Sequence, residues 1–290
     1  MVLLQRVRLD PPLPTTAAAG FSQRLVLRNA SVVITSAGTE PPRDRRTVTV
    51  FVDANAPALR LQAVGGAPFG LHASLEVWRN ETGSGFGSWC QAWNRSADVV
   101  IADADGAIAV AHPNPDATAD AVVETTLRRQ GIDMGGQRAY NPMKGRTFGA
   151  WVSSGDVAAM PLRRVNSTTL GSVRPATEHT LVMSALTTVV GKPFAGPKAA
   201  AGKWAVAAAA LAKANTATPF TSAAAAHTAE WRKLWNRSWV RVSAPGDTRH
   251  QPGDGNVTGD PTAMLTLQRY LDLANGRLAR YPIHGGGQAS

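Results

Sequence analysis

The sequence predicts a mainly β protein: an antiparallel super-β-sandwich followed by helices. Three observations predict it. Short runs of alternating apolar and polar residues recur from Gln23 to Val190. Turn-forming Gly, Pro and Asn residues separate them. At Pro197 the period-two pattern gives way to Ala-rich segments of helical period.

The strands come first. Gln23–Leu27 and Ser31–Thr35 flank a turn at Asn29-Ala30. Arg46–Val52 alternates for most of its length, Asp53–Pro57 breaks it, and Ala58–Val64 resumes it, which is a hairpin pattern. Ala73–Trp78 is a further strand whose apolar face Trp78 continues, so Trp78 is expected in the core. Val99–Ile101 and Ala107–Val110 flank Asp105-Gly106, a hairpin signal. Phe148–Val152 and Thr180–Val190 complete the set.

The helices follow. Residues 198–214 carry Trp204 and Leu211 on compatible turns, and Thr216–Pro219 stops them. Thr221 or Ser222 can cap the next helix, where His227, Trp231, Leu234, Trp235 and Trp239 share one face. A third helix has Asp260 as its cap, Pro261 at its first position and Asn275-Gly276 at its end. Its stripe of Met264, Leu267, Leu271 and Ala274 calls for a surface to cover, because a lone helix of this length is marginal. The organisation expected is a sandwich over 1–196, a helical linker over 197–245, and the start of a truncated helical domain over 246–290.

Composition narrows the function. With 44% hydrophobic and 17% charged residues, the 290-residue chain is globular rather than disordered. The net charge of +10 raises nucleic acid as a partner, yet the basic residues are scattered in groups such as Arg43/Arg45/Arg46 and Arg163/Arg164. No basic helical stripe forms, so no nucleic-acid partner is expected. No apolar run approaches the ~20 residues of a membrane span, and no membrane partner is expected. The opening Met1–Arg6 is charged too soon for a secretory signal, which leaves a cytosolic protein or a start that lies further upstream. Against a cytosolic address, six of the 11 Asn residues sit in Asn-x-Ser/Thr: Asn29, Asn80, Asn94, Asn166, Asn236 and Asn256. Chance predicts about 1.5, so these Asn residues are glycosylation candidates or plain surface turns, and an extracellular or lysosomal location is favoured if the full-length protein has a signal peptide.

Chemistry is sparse. The single Cys90 allows no internal disulfide and no thiolate metal site. The six His residues show no paired metal spacing, and no phosphate loop or dinucleotide fingerprint occurs, so neither metal nor cofactor is expected. Asp98, Asp103, Asp105, Asp116 and Asp120 fall at strand ends, where Asp ordinarily forms turns. No catalytic pair is assigned. Trp78, Trp89 and Trp93 fall within 16 residues around the polar, Gly-rich loop Asn80–Ser88; Trp89 and Trp93 are candidate platforms for a sugar face, with core or interface burial as the alternative.

Several strings together resemble a known family. They are Val50–Pro57, Ala73–Arg79, His112-Pro113-Asn114, Arg146–Gly149, His227 through Trp239, Leu267–Leu271, and Gly276-Arg277 with Tyr281-Pro282-Ile283. The chain resembles, over about residues 3–283, a domain-of-unknown-function family similar to the family 95, fucosidase-type, glycoside hydrolases. The resemblance implies a super-β-sandwich, a helical linker and an (α/α)6 barrel that holds the active site, the last helix here being the barrel's first. Two departures accompany it. A Gly-Asn-Gly type loop is missing ahead of Arg6, and His284–Gly287 stands where a Lys-Phe-Asn-Gly run is expected. The catalytic carboxylates would lie in the barrel, so none is carried over, and this chain by itself is expected to be inactive. His112 and Asn114 match a loop that could face the barrel cleft and are carried as binding candidates. The expectation is a non-catalytic sandwich-and-linker portion of a glycoside-hydrolase-like protein with carbohydrate as partner. The alternatives are a stand-alone carbohydrate-binding sandwich or an interaction protein without a ligand.

Overall fold

The fold is taken from a computed structural model, which describes residues 6–10, 20–37, 45–81, 83–84, 94–102, 104, 106–114, 124–132, 145–155, 162–189, 196–237 and 261–276. Fourteen strands are described: β1 (Arg6–Asp10), β2 (Ser22–Val26), β3 (Ser31–Ser36), β4 (Arg46–Val52), β5 (Ala58–Phe69), β6 (His72–Glu76), β7 (Gly83–Ser84), β8 (Asn94–Arg95), β9 (Val99–Val100), β10 (Ile108–Pro113), β11 (Arg146–Ser154), β12 (Leu162–Asn166), β13 (Thr169–Ser172) and β14 (Ala176–Val189). A short helix, α1, covers 124–129. Then come α2 (Pro197–Thr216), α3 (Phe220–Trp235) and α4 (Pro261–Gly276).

The strands form a broad antiparallel sheet in the order β2-β3-β4-β5-β14-β11-β10-β9, and a smaller one in the order β1-β6-β13-β12. Their facing sides share one core. Val48, Leu61, Val110, Val152 and Leu181 of the broad sheet pack with Ala73, Leu75, Leu162 and Leu170 of the smaller one. The mainly β sandwich read from the sequence is therefore what the chain forms.

Helix α2 makes a third layer. In β10 the larger Ile108 and Val110 face the sandwich core, while Ala109 and Ala111 face α2. That alternation puts small residues where a helix must approach closely, and α2 answers with Ala201, Ala208 and Ala212. Trp204 is fully buried there and donates its indole N–H to the Leu186 carbonyl at 2.9 Å. It lies over Gly149 of β11, where an added Cβ would come within 2.6 Å of the ring. Gly149 is thus required by a close approach rather than by backbone strain.

Helix α3 docks at the β4–β5 end of the broad sheet. Phe51 stacks on His227 with centroids 4.5 Å apart, and Trp235 donates to the Leu27 carbonyl at 2.9 Å. Helix α4 packs on α3 through Tyr270 and Leu273, and Arg269 sits 5.3 Å from the Trp235 ring centre. Among the described residues, no helix is long and apolar enough to cross a membrane.

Two local expectations need correction, and some strands went unread. Neither Thr221 nor Ser222 caps α3; the helix starts at Phe220 after Pro219, whose fixed backbone sets the entry without a side-chain bond. The α4 stripe is rotated from the one expected: Met264 and Leu271 are exposed, and Tyr270 and Leu273 make the contact, because α3 offers an aromatic partner. The β12–β13 hairpin went unread because Leu162–Asn166 holds two Arg residues and little apolar alternation. Strand β1 went unread as well. Asp260 and Trp239 lie outside the described residues.

Candidate functional site

The polar side chains with most structure around them gather at one end of β10 and β11. Asp98 precedes β9, and its side chain is 1% exposed. Its Oδ1 accepts from Arg79 Nε at 2.9 Å and pairs with His112 Nδ1 at 2.9 Å. Asp98 is therefore a buried, shared acceptor rather than only the turn-former that its position suggested. The Arg79 guanidinium also lies over the Phe148 ring at 5.7 Å, and the His112 ring sits 4.9 Å from the same phenyl. Strand pairing explains the meeting, since His112 stands opposite Phe148 in the register.

Ser96 and Asn114 complete the cluster. Ser96 Oγ donates to the Pro113 carbonyl at 3.1 Å and lies 3.5 Å from His112 Nε2. Serine, imidazole and carboxylate thus follow in the order of a nucleophilic triad. The hydroxyl hydrogen goes to the Pro113 carbonyl, and the 3.5 Å separation from Nε2 is long for a hydrogen bond. The bonds to Pro113 and Asp98 tie the strand ends together. Asn114 Nδ2 donates to the Arg146 carbonyl at 3.2 Å, and its backbone N–H donates to the same oxygen at 2.8 Å.

Beside this cluster stands Trp78, 51% exposed. Its indole N–H reaches Glu76 Oε2 at 3.4 Å. The sequence placed Trp78 in the core because it continues the β6 alternation, but β6 ends at Glu76 and the chain turns before the indole. The signal that could have found it was there: three Trp residues within 16 positions around one polar loop. Trp89 and Trp93 lie outside the described residues.

The sequons divide. Asn80 and Asn166 are exposed, as is Asn236 after α3. Asn29 is half-buried, its Oδ1 accepting from Ser31 Oγ at 2.8 Å and its backbone carbonyl from His227. Asn94 belongs to β8, and Asn256 lies outside the described residues, as does Cys90. Among the described residues no three His, Cys, Asp or Glu side chains gather in a metal-holding group.

A second feature is an apolar cavity of about 350 Å³ at the β4–β5 end. Val32, Val50, Val52 and Leu59 line it from one sheet face, and Trp231, Tyr270 and Ala274 from the helices. Its acidic wall, Asp53, is already occupied: Oδ2 accepts from Arg60 Nε at 2.7 Å and Oδ1 from the Asn55 N–H at 2.9 Å. Burial raises the Tyr270 phenol above its ordinary range.

Fold and site together define a two-sheet antiparallel sandwich with a helical layer and a polar strand end beside the exposed Trp78. A family model described as Domain of unknown function (DUF5703), its N-terminal part, matches residues 1–240, and the chain belongs to that family. No curated protein matches. Among solved structures, the chain is similar to one provisionally named a kojibiose phosphorylase, from human microbiome, at 9% identity and a TM-score of 0.40. The match covers 81% of this chain and 25% of that one, so the chain spans about a quarter of that protein's length.

Proposed function

We propose that this chain is the non-catalytic sandwich and linker of a glycoside-hydrolase-like protein, and that its polar strand end beside Trp78 contacts carbohydrate. The organisation proposed is a sandwich to residue 196, a helical linker over 197–245, and the start of a helical domain beyond. The finer likeness to family 95 rests on the residue strings quoted above.

One observation carries the carbohydrate reading. Half-exposed Trp78 stands next to Arg79, which the buried Asp98 orients, on the chain segment that leads to Trp89 and Trp93. A flat indole beside fixed polar groups suits a sugar ring, which offers C–H bonds on its face and hydroxyls at its edge. His112 and Asn114 serve as binding candidates at the same end. Their polar atoms are largely spent on Asp98 and the Arg146 carbonyl, so they act by shaping the rim.

The test is a glycan array with the full chain, followed by calorimetry on the best oligosaccharide. Trp78→Ala is expected to weaken binding roughly tenfold, the scale of one lost aromatic platform. A blank array, or affinity unchanged in both Trp78→Ala and Trp89→Ala, would remove the carbohydrate reading.

A further inference from the structure

We propose that His227 makes the docking of α3 acid-sensitive, holding the helix on the sandwich at neutral pH and releasing it when the ring gains a second proton. His227 is 1% exposed, and both ring nitrogens face backbone partners of opposite kind. Nδ1 accepts from the Ala54 N–H at 3.1 Å. Nε2 lies 2.7 Å from the Asn29 carbonyl, to which it must donate. Only the neutral ring with hydrogen on Nε2 makes both bonds. A proton on Nδ1 would point at the Ala54 N–H, donor against donor. One ring thereby ties α3 to two separate loops, at Asn29 and at Ala54.

The described residues around the ring do little for a cation. The ring stacks on Phe51 at 4.5 Å and meets Trp231 edge-on at 6.3 Å. The β4–β5 turn carries Asp53, whose carboxylate is neutralised by Arg60 of β5. On α3 itself, Glu230 pairs with Lys233 at 3.5 Å, and Arg232 is a further positive charge. The turn over Leu27–Asn29 carries Arg28. On α4, Arg269 lies over Trp235, Asp272 accepts from Gln268, and Tyr270 is neutral in this pH range.

The sign follows from linkage. The released form binds the extra proton and the docked form excludes it, so docking weakens as pH falls through the ordinary histidine range. Below about pH 6.5 the released population is expected to rise about tenfold per pH unit.

The experiment is amide hydrogen exchange of the full chain at pH 7.5, 6.5, 5.5 and 5.0, corrected for intrinsic rates and read on residues 220–235. Wild type should lose α3 protection along that slope while β10, β11 and β14 keep theirs. His227→Gln, whose amide spans a similar distance and does not titrate, should show no slope. Unchanged α3 protection in wild type, or the same slope in His227→Gln, would overturn the proposal. If His227→Gln does not fold, an imidazole NMR titration of wild type decides. A ring neutral until α3 opens supports the proposal, and a ring protonated with α3 still protected refutes it.

Discussion

Arg60 is a buried cation in the middle of a strand, and its survival there depends on one acid. Its side chain is 3% exposed and that of Asp53 4%, with Nε and Oδ2 at 2.7 Å. The guanidinium also donates to the Thr218 carbonyl at 3.1 Å, which ties the α2–α3 junction to β5. Removing one member strands the other charge away from water. Asp53→Ala is therefore expected to cost about 3–5 kcal/mol in urea denaturation, whereas replacing both residues by apolar ones of similar volume should recover much of it. Period-two reading marked Asp53 only as a strand breaker. It could not pair Asp53 with Arg60, because the pairing depends on how tightly the hairpin closes.

At the scale of elements, the docking of α2 is a matter of shape. Trp204 fits because Gly149 leaves the strand surface flat beneath it and because Ala109 and Ala111 neighbour it. Gly149→Ala pushes a methyl group into the Val110 backbone carbonyl and the indole, and is expected to cost about 1–3 kcal/mol, with a changed near-ultraviolet circular dichroism signal from Trp204. Gly202 is the control. It lies within α2 with open space around it, so Gly202→Ala should stabilise by up to about 1 kcal/mol through helix propensity. Urea midpoints of the two variants moving in the same direction would contradict this account. Helices α2, α3 and α4 were legible within a few residues, since alanine content and the proline stops are local signals, whereas the short α1 went unread. The face that α4 buries was not, because it depends on where the aromatic side chains of α3 stand.

For the whole molecule, the association of layers is where solution conditions act. Tyr270 links α4 to α3 through the Trp231 ring, with centroids 5.4 Å apart. Its phenol is raised above the usual value by burial, so the folded state holds that proton more tightly than the unfolded chain does. That contribution is fully present below about pH 10 and is lost as pH rises through the raised value. Wild type is expected to lose stability above about pH 10 more steeply than Tyr270→Phe, as read by thermal melts with tyrosinate absorbance followed in parallel. Equal slopes for the two proteins would place the alkaline transition elsewhere.

What the residues alone determined is the order of the plan: alternating strands to Val190, then helices from Pro197. Alternation and turn chemistry are local, so they survive in one dimension. Only the tertiary structure decided which polar groups share a proton or a charge. Asp98 between Arg79 and His112, Asp53 with Arg60, and His227 between Asn29 and Ala54 are joined across 7 to 198 positions of chain. Such contacts leave no periodic trace, since they arise from strand register and helix docking rather than from any neighbour in sequence. Trp78 shows the same division. Its type and spacing were visible from the start, but its exposure was set by the point at which β6 stops.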